Sequence, residues 1–170
     1  SGTTATDGSF TVSGIPADAL FRLVVPTPAA TTYVPVLSKV MQWDADIQAL
    51  LPFTLFTPAQ YDAFANTAGD GLIVGRVALE SSPTTFLPGA TIEAREYLPG
   101  DPPTLGATYP VTYTSGSATQ DDGIYIVKNV PSGTMVQLTA TLSGYTFAFN
   151  QAIIPAQAGF VSEESFFAAP

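Results

Sequence analysis

The apolar positions in the C-terminal part of the chain recur at every second residue. Val136, Leu138, Ala140 and Leu142 alternate with Gln137, Thr139 and Thr141, the period of a strand with one buried face. Ala90, Ile92 and Ala94 alternate with Thr91, Glu93 and Arg95 in the same way. Ile124-Tyr125-Ile126-Val127 is apolar at consecutive positions and predicts a central strand covered on both faces. Pro99-Gly100-Asp101-Pro102-Pro103 reads as a loop, after which Tyr109 to Tyr113 resumes extended structure. Further strands are expected near Thr146 to Ile154 and Val161 to Phe167. Short strands between Gly and Pro turns predict an all-β sandwich.

The stretch from Thr31 to Asp70 breaks this pattern. Leu37, Val40, Met41, Ile47, Leu50 and Leu51 have roughly helical spacing. Thr57-Pro58-Ala59-Gln60 is a stronger helix start: Thr as N-cap, Pro at the first helical position and Gln at the third. The expected helix runs to about Thr67 and stops at Gly69-Asp70-Gly71.

A self-match organises the chain. Residues 4–23 align without a gap on residues 119–138, at an offset of 115, with six of 20 positions identical. Asp7-Gly8 and Asp122-Gly123 supply tight turns, and Phe10 and Tyr125 follow two residues later. Gly14 and Asn129 both tolerate positive φ. Ile15-Pro16 and Val130-Pro131 then open a second turn.

With Val130-Pro131-Ser132-Gly133, the closing Gly144-Tyr145, and upstream Gly75-Arg76-Val77 and Leu87-Pro88-Gly89-Ala90-Thr91-Ile92, these residues resemble the carboxypeptidase regulatory-like domain. That family is a prealbumin-like (transthyretin-like), Ig-like seven-stranded sandwich related to the B-type repeats of collagen adhesins. The resemblance covers Gly71 to Pro170 well and Thr4 to Val25 in part. It implies a spacer, stalk or adhesion module without catalysis. Some adhesin relatives carry a Lys-Asn isopeptide bond that needs a first-strand Lys. Arg76 stands there, and the lysines are Lys39 and Lys128, so no such bond is expected.

Composition narrows the chemistry. The chain has no His and no Cys, which removes His general bases, Cys nucleophiles, His- or Cys-ligated zinc and disulfides. Five basic against 14 acidic residues give a net charge of −9, so nucleic acid is not an expected partner. No apolar run approaches the ~18 residues of a membrane-crossing helix, so no membrane insertion is expected. High Thr, Ser, Pro and Gly content fits an extracellular, cell-surface protein. The carboxylate pairs Asp44/Asp46, Glu93/Glu96 and Glu163/Glu164 sit in no catalytic motif and read as solvated surface charge. Adjacent strand residues such as Glu163 and Glu164 point to opposite faces. Asp121-Asp122-Gly123 lacks the spaced ligands of a calcium loop and reads as a turn. Trp43, Tyr97, Tyr109, Tyr113 and Tyr145 offer an aromatic surface for a glycan, with burial the plainer use. A non-enzymatic protein without cofactor or metal is expected.

The organisation follows as a partial sandwich module at 1–30, a connector at 31–70 with a short helix near 58–67, and a complete sandwich at 71–170. The second copy of the repeat has nearly fifty residues of strands upstream of Thr119, whereas the first has three residues before Thr4. A sandwich without its opening strands leaves edges open. Either the chain is cut inside a module, or another copy supplies strands. The expected function is therefore a structural subunit that polymerises head-to-tail by strand complementation, with copies of itself as partner. Interface candidates are Phe10, Val12, Phe21 and Leu23 near one end, and Val161, Phe166 and Phe167 near the other. The alternative is a spacer or adhesion/carbohydrate-binding module of a longer surface protein, with a glycan or host-surface ligand.

Overall fold

From Asp70 onward the chain alternates strands with tight turns, and turn chemistry marks the junctions. Gly89, Gly116, Gly123, Gly133, Gly144 and Gly159 all adopt positive φ there. The computed structural model describes residues 10–26, 33–42 and 54–170. In chain order the elements are β1 (Leu20–Phe21), β2 (Val24–Val25), β3 (Val36–Ser38), β4 (Met41–Gln42), α1 (Pro58–Ala63), β5 (Asp70–Leu79), β6 (Ser82–Phe86) and β7 (Thr91–Leu98). They continue as β8 (Thr104–Tyr109), β9 (Val111–Tyr113), β10 (Ile124–Pro131), β11 (Met135–Thr141), β12 (Thr146–Phe147), β13 (Gln151–Pro155) and β14 (Val161–Ala169).

The fold is an all-β sandwich. One sheet has the order β2-β3-β14-β5-β10-β9, with β6 on β5 and β12 on β14. The facing sheet is β13-β11-β7-β8, and β1 and β4 form a separate pair. Most neighbours are antiparallel. β14 is the exception, running parallel to β5 on one side and to β3 on the other. The main core lies between the sheets and includes Ile73, Val77, Tyr125, Val136, Leu138 and Phe166. The alternation read from sequence holds: Ile92 and Ala94 of β7, and Val136, Leu138 and Ala140 of β11, face this core.

The larger sheet is covered on its other face too. Leu72, Val74 and Val161 form a second cluster under Phe56, with Tyr61, Phe64 and Ile126 packed against it. This explains the unbroken apolar run at 124–127. Tyr125 and Val127 enter the main core, while Ile126 enters the second. Gly75 is the tightest point of the sheet. Tyr125 of β10 reaches across it and donates its phenol to the Glu164 carbonyl of β14 at 2.6 Å. A side chain at position 75 would collide with that phenol and that carbonyl.

Two expectations are corrected. Residues 36–42 are not helical: Val36–Ser38 and Met41–Gln42 are strands, with Val36, Leu37 and Met41 buried. Strand pairing, of Val36–Ser38 to β14 and of Met41–Gln42 to β1, overrides the helical spacing; the remaining positions of that pattern, Ile47, Leu50 and Leu51, lie outside the described residues. The second correction concerns α1, which starts where expected and ends earlier. Thr57 caps it in a full capping box with Gln60, but it stops at Ala63 with Phe64 as C-cap. Ala65 then takes φ 51°, and Asn66 ties the chain to β10 by accepting the Asn129 N–H at 2.7 Å.

The repeat survives as geometry. Gly14 and Asn129 both have positive φ, as do the aligned Asp18 and Gly133. Each copy closes the same turn, Ala19 N–H to Pro16 O at 3.2 Å and Thr134 N–H to Pro131 O at 3.1 Å. The Asp7-Gly8 part of the first copy lies outside the described residues. After its turn the second copy enters β11 in the middle of a sheet. The first enters β1 and β2, which pair with β4 and β3.

Candidate functional site

Residues 20–25 and 36–42 together form one bent hairpin. At one end β2 pairs with β3, Val24 opposite Leu37. At the other, β1 pairs with β4, Phe21 opposite Met41. Ser38 makes the bend. Its N–H donates to Leu23 O at 3.0 Å, and its hydroxyl accepts the Leu23 N–H and donates to Lys39 O, both at 2.8 Å. A side-chain oxygen thus replaces a ladder bond where the strand turns from one sheet toward the other.

The hairpin closes one side of the sandwich. β3 lies along β14 with Val36 opposite Val161, Leu37 opposite Ser162 and Ser38 opposite Glu163. Just beyond the bend, the Val40 N–H reaches Ile153 O of β13 at 3.5 Å. The two sheets are bridged there by a segment from outside the sandwich, and Lys39 enters with it. Lys39 Nζ donates to Glu164 Oε1 at 2.8 Å.

The acidic pair on β14 departs from the expectation of solvated surface charge. Glu163 is 7% exposed and Glu164 6%. As strand geometry requires, they serve opposite faces. Glu163 lies on the side of Val161, where its Oε2 accepts the Thr54 N–H at 2.7 Å. Burial pushes its carboxyl up to about 7, against the opposing pull of Thr54 and of Arg76. Glu164 lies on the side of Phe166 and meets Lys39. Burial raises its carboxyl as well, and Lys39 opposes that rise. Tyr125 is raised well above the usual phenol range by burial and by these two carboxylates.

The interface candidates fall into three groups. Phe21 and Leu23 belong to the hairpin and are half-buried; Val12 is half-buried upstream of it, and Phe10 is 40% exposed. Val161 pairs beside Val36 of the hairpin in the same sheet and is fully buried. Phe166 is buried in the main core against Tyr125 and Phe147, and Phe167 is half-buried opposite Ala78. β14 is therefore already flanked by β5 and β3, so donation by the Val161–Phe167 strand requires unpairing both. The hairpin also turns apolar side chains outward: Leu20 is 72% exposed and Val24 is also exposed, as are Leu98, Leu105 and Phe149 elsewhere on the surface.

A different edge is guarded. Opposite Glu96, β8 bulges at Gly106 and Ala107. Arg95 Nη2 donates to Leu105 O at 3.5 Å and Gly106 O at 3.2 Å, and the Ala107 N–H donates to Glu96 Oε2 at 3.4 Å. A bulge with charged side chains folded over it obstructs strand addition. The residues named by the other sequence readings have local uses. Asp122 accepts the Ile124 N–H at 3.0 Å within its turn. Tyr109, Tyr113 and Tyr145 pack on the main core. Trp43, Asp44 and Asp46 lie outside the described residues. Among the described residues no three acidic, His or Cys side chains cluster as a metal site.

Sequence reasoning missed the Lys39–Glu164 pair. The only local signal was two adjacent acids in a strand that also carries Val161, Phe166 and Phe167. Comparison with family models, with curated proteins and with solved structures returns no match.

Proposed function

We propose that this chain is a non-enzymatic, extracellular structural subunit that joins copies of itself head-to-tail by β-strand complementation. One observation carries the reading. The first repeat copy keeps the turn geometry of the second, yet among the described residues it forms no separate sandwich, and its strand partner β3 is added beside β14 of the sandwich built by the rest of the chain. A segment that completes a fold from outside its strand order can complete a neighbouring copy as well. A contact between different surfaces of identical chains need not close on itself, so it propagates as a filament. The low charge density and the exposed Leu20 and Val24 favour close packing of subunits. Kinship with carboxypeptidase regulatory-like and collagen-adhesin B-type modules belongs to the same reading, through Gly75, Tyr125, Pro131 and Tyr145.

Negative-stain microscopy beside light scattering over a hundred-fold concentration range tests it. Regular fibres built from 17.7 kDa chains are the expected result. A monodisperse monomer at every concentration refutes assembly and leaves a spacer or adhesion module.

A further inference from the structure

We infer that the exchanged element is the bent hairpin β1–β4, whose strands lie within 20–25 and 36–42, and which leaves its own sandwich and seats on that of the next copy. The inference rests on the self-assembly reading and names its donor and acceptor.

The contacts described between the hairpin and the sandwich are available in trans, because each copy carries the same seat. The seat includes three register positions on β14, the Val161 N–H that donates to Pro35 O, the Phe56 carbonyl that accepts the Val34 N–H at 2.7 Å, the Ile153 carbonyl of β13 and the buried Glu164 carboxylate. Val36, Leu37 and Met41 supply the buried apolar surface. The chain between hairpin and body is long enough. From Gln42 to Thr54 there are twelve residue steps, which reach up to about 40 Å when extended, comparable with the ~35 Å width of a 100-residue domain. That reach is enough for the hairpin to cross between adjacent copies.

The ion pair sets the register of the exchange. A one-residue slip of β3 along β14 turns Leu37 to the opposite face and takes Lys39 off Glu164. The slipped arrangement leaves a carboxylate buried without its cation, an expensive state. Only the seating that places Ser38 opposite Glu163 satisfies both the apolar and the charged positions. The donor hairpin is therefore selected by one charge-assisted bond at 2.8 Å, with the strand pairing supplying the rest.

Charge exchange between chains tests this directly. K39E and E164K chains each place like charges at the seat, whether the hairpin binds its own sandwich or that of an identical chain. Mixing them pairs opposite charges only if the hairpin crosses between copies. The expected result is about tenfold or more assembled material in the mixture than in either variant alone, as a difference above 1.4 kcal/mol requires. A second experiment guards against variants that fail to fold. The chain contains no cysteine, so V36C and V161C place the sole thiols at facing register positions. One chain is isotopically labelled, and the two are mixed and oxidised. Covalent V36C–V161C heterodimers between labelled and unlabelled chains support the exchange. The doubly substituted V36C/V161C chain should oxidise to a ladder of multimers. If wild-type filaments form and the double variant within them closes only intrachain disulfides, the hairpin inference is overturned while self-assembly stands. If no filament forms and all cross-links are intrachain, both readings fail.

Discussion

Replacing Glu163 by Gln should stabilise this protein at alkaline pH and leave it unchanged in acid. The carboxylate is 7% exposed, on the sheet face that carries Leu72, Val74 and Val161. Its folded-state value is raised from 4.5 to about 7, chiefly by burial. Below pH 4.5 the group is protonated in both folded and unfolded chains and costs nothing. Between 4.5 and 7 the unfolded chain releases the proton while the folded chain holds it, so stability falls as pH rises. Above 7 the full penalty remains, about 3 kcal/mol at 1.36 kcal/mol per pH unit. Gln keeps an oxygen that accepts the Thr54 N–H, so the 2.7 Å hydrogen bond is retained without the charge. Thermal melts of both proteins from pH 4 to 8.5, at one fixed concentration, measure the difference. Glu164 also titrates with a raised value, but it is present in both proteins, so its effect largely cancels. The variant's advantage should grow from near zero at pH 4 to about 3 kcal/mol at pH 8, or roughly 6–12 °C in melting temperature for a chain this size. A difference independent of pH, or one that shrinks as pH rises, refutes the assignment of a buried, desolvated carboxylate.

Three further outcomes are expected. Gly75→Ala should abolish cooperative unfolding and the near-ultraviolet circular dichroism signal, because the added carbon meets backbone on β14 and the Tyr125 ring, neither of which has room to yield; a loss below about 2 kcal/mol contradicts this. Lys39→Met should cost about 3–5 kcal/mol at pH 8 by leaving Glu164 buried alone, and less at pH 4, where that carboxyl neutralises itself. Urea titrations at the two pH values separate this from a packing loss, which has no pH dependence. Thr57→Ala should remove about 1 kcal/mol by deleting the cap, with faster amide exchange confined to α1 and its neighbours; protection unchanged at Tyr61 and Phe64 counts against the capping box.

What the sequence determined is what depends on near neighbours. Alternation at 90–95 and 136–142 fixed which side chains face inward, because strand period is a backbone property. The Thr57-Pro58-Ala59-Gln60 start located α1 because capping is satisfied within one turn. The repeat announced its two positive-φ positions, since turn conformation follows from Gly, Asn and Pro side-chain sterics. The consecutive apolar run at 124–127 signalled a strand covered on both faces. Only the tertiary structure decided the rest. Residues 36–42 have a spacing compatible with helix, but Val36–Ser38 became a strand because β14, about 125 positions away, offered an open edge, and Met41–Gln42 paired with β1. Glu163 and Glu164 look like surface charge in one dimension. Their burial depends on Thr54 and Lys39, which arrive from the far end of the chain. The helix end at Ala63 was set by Asn66 meeting Asn129 of β10. Strand partners, buried charge and the seat of the hairpin are long-range outcomes. A local pattern states which residues seek burial, and only the closed fold determines what each is buried against.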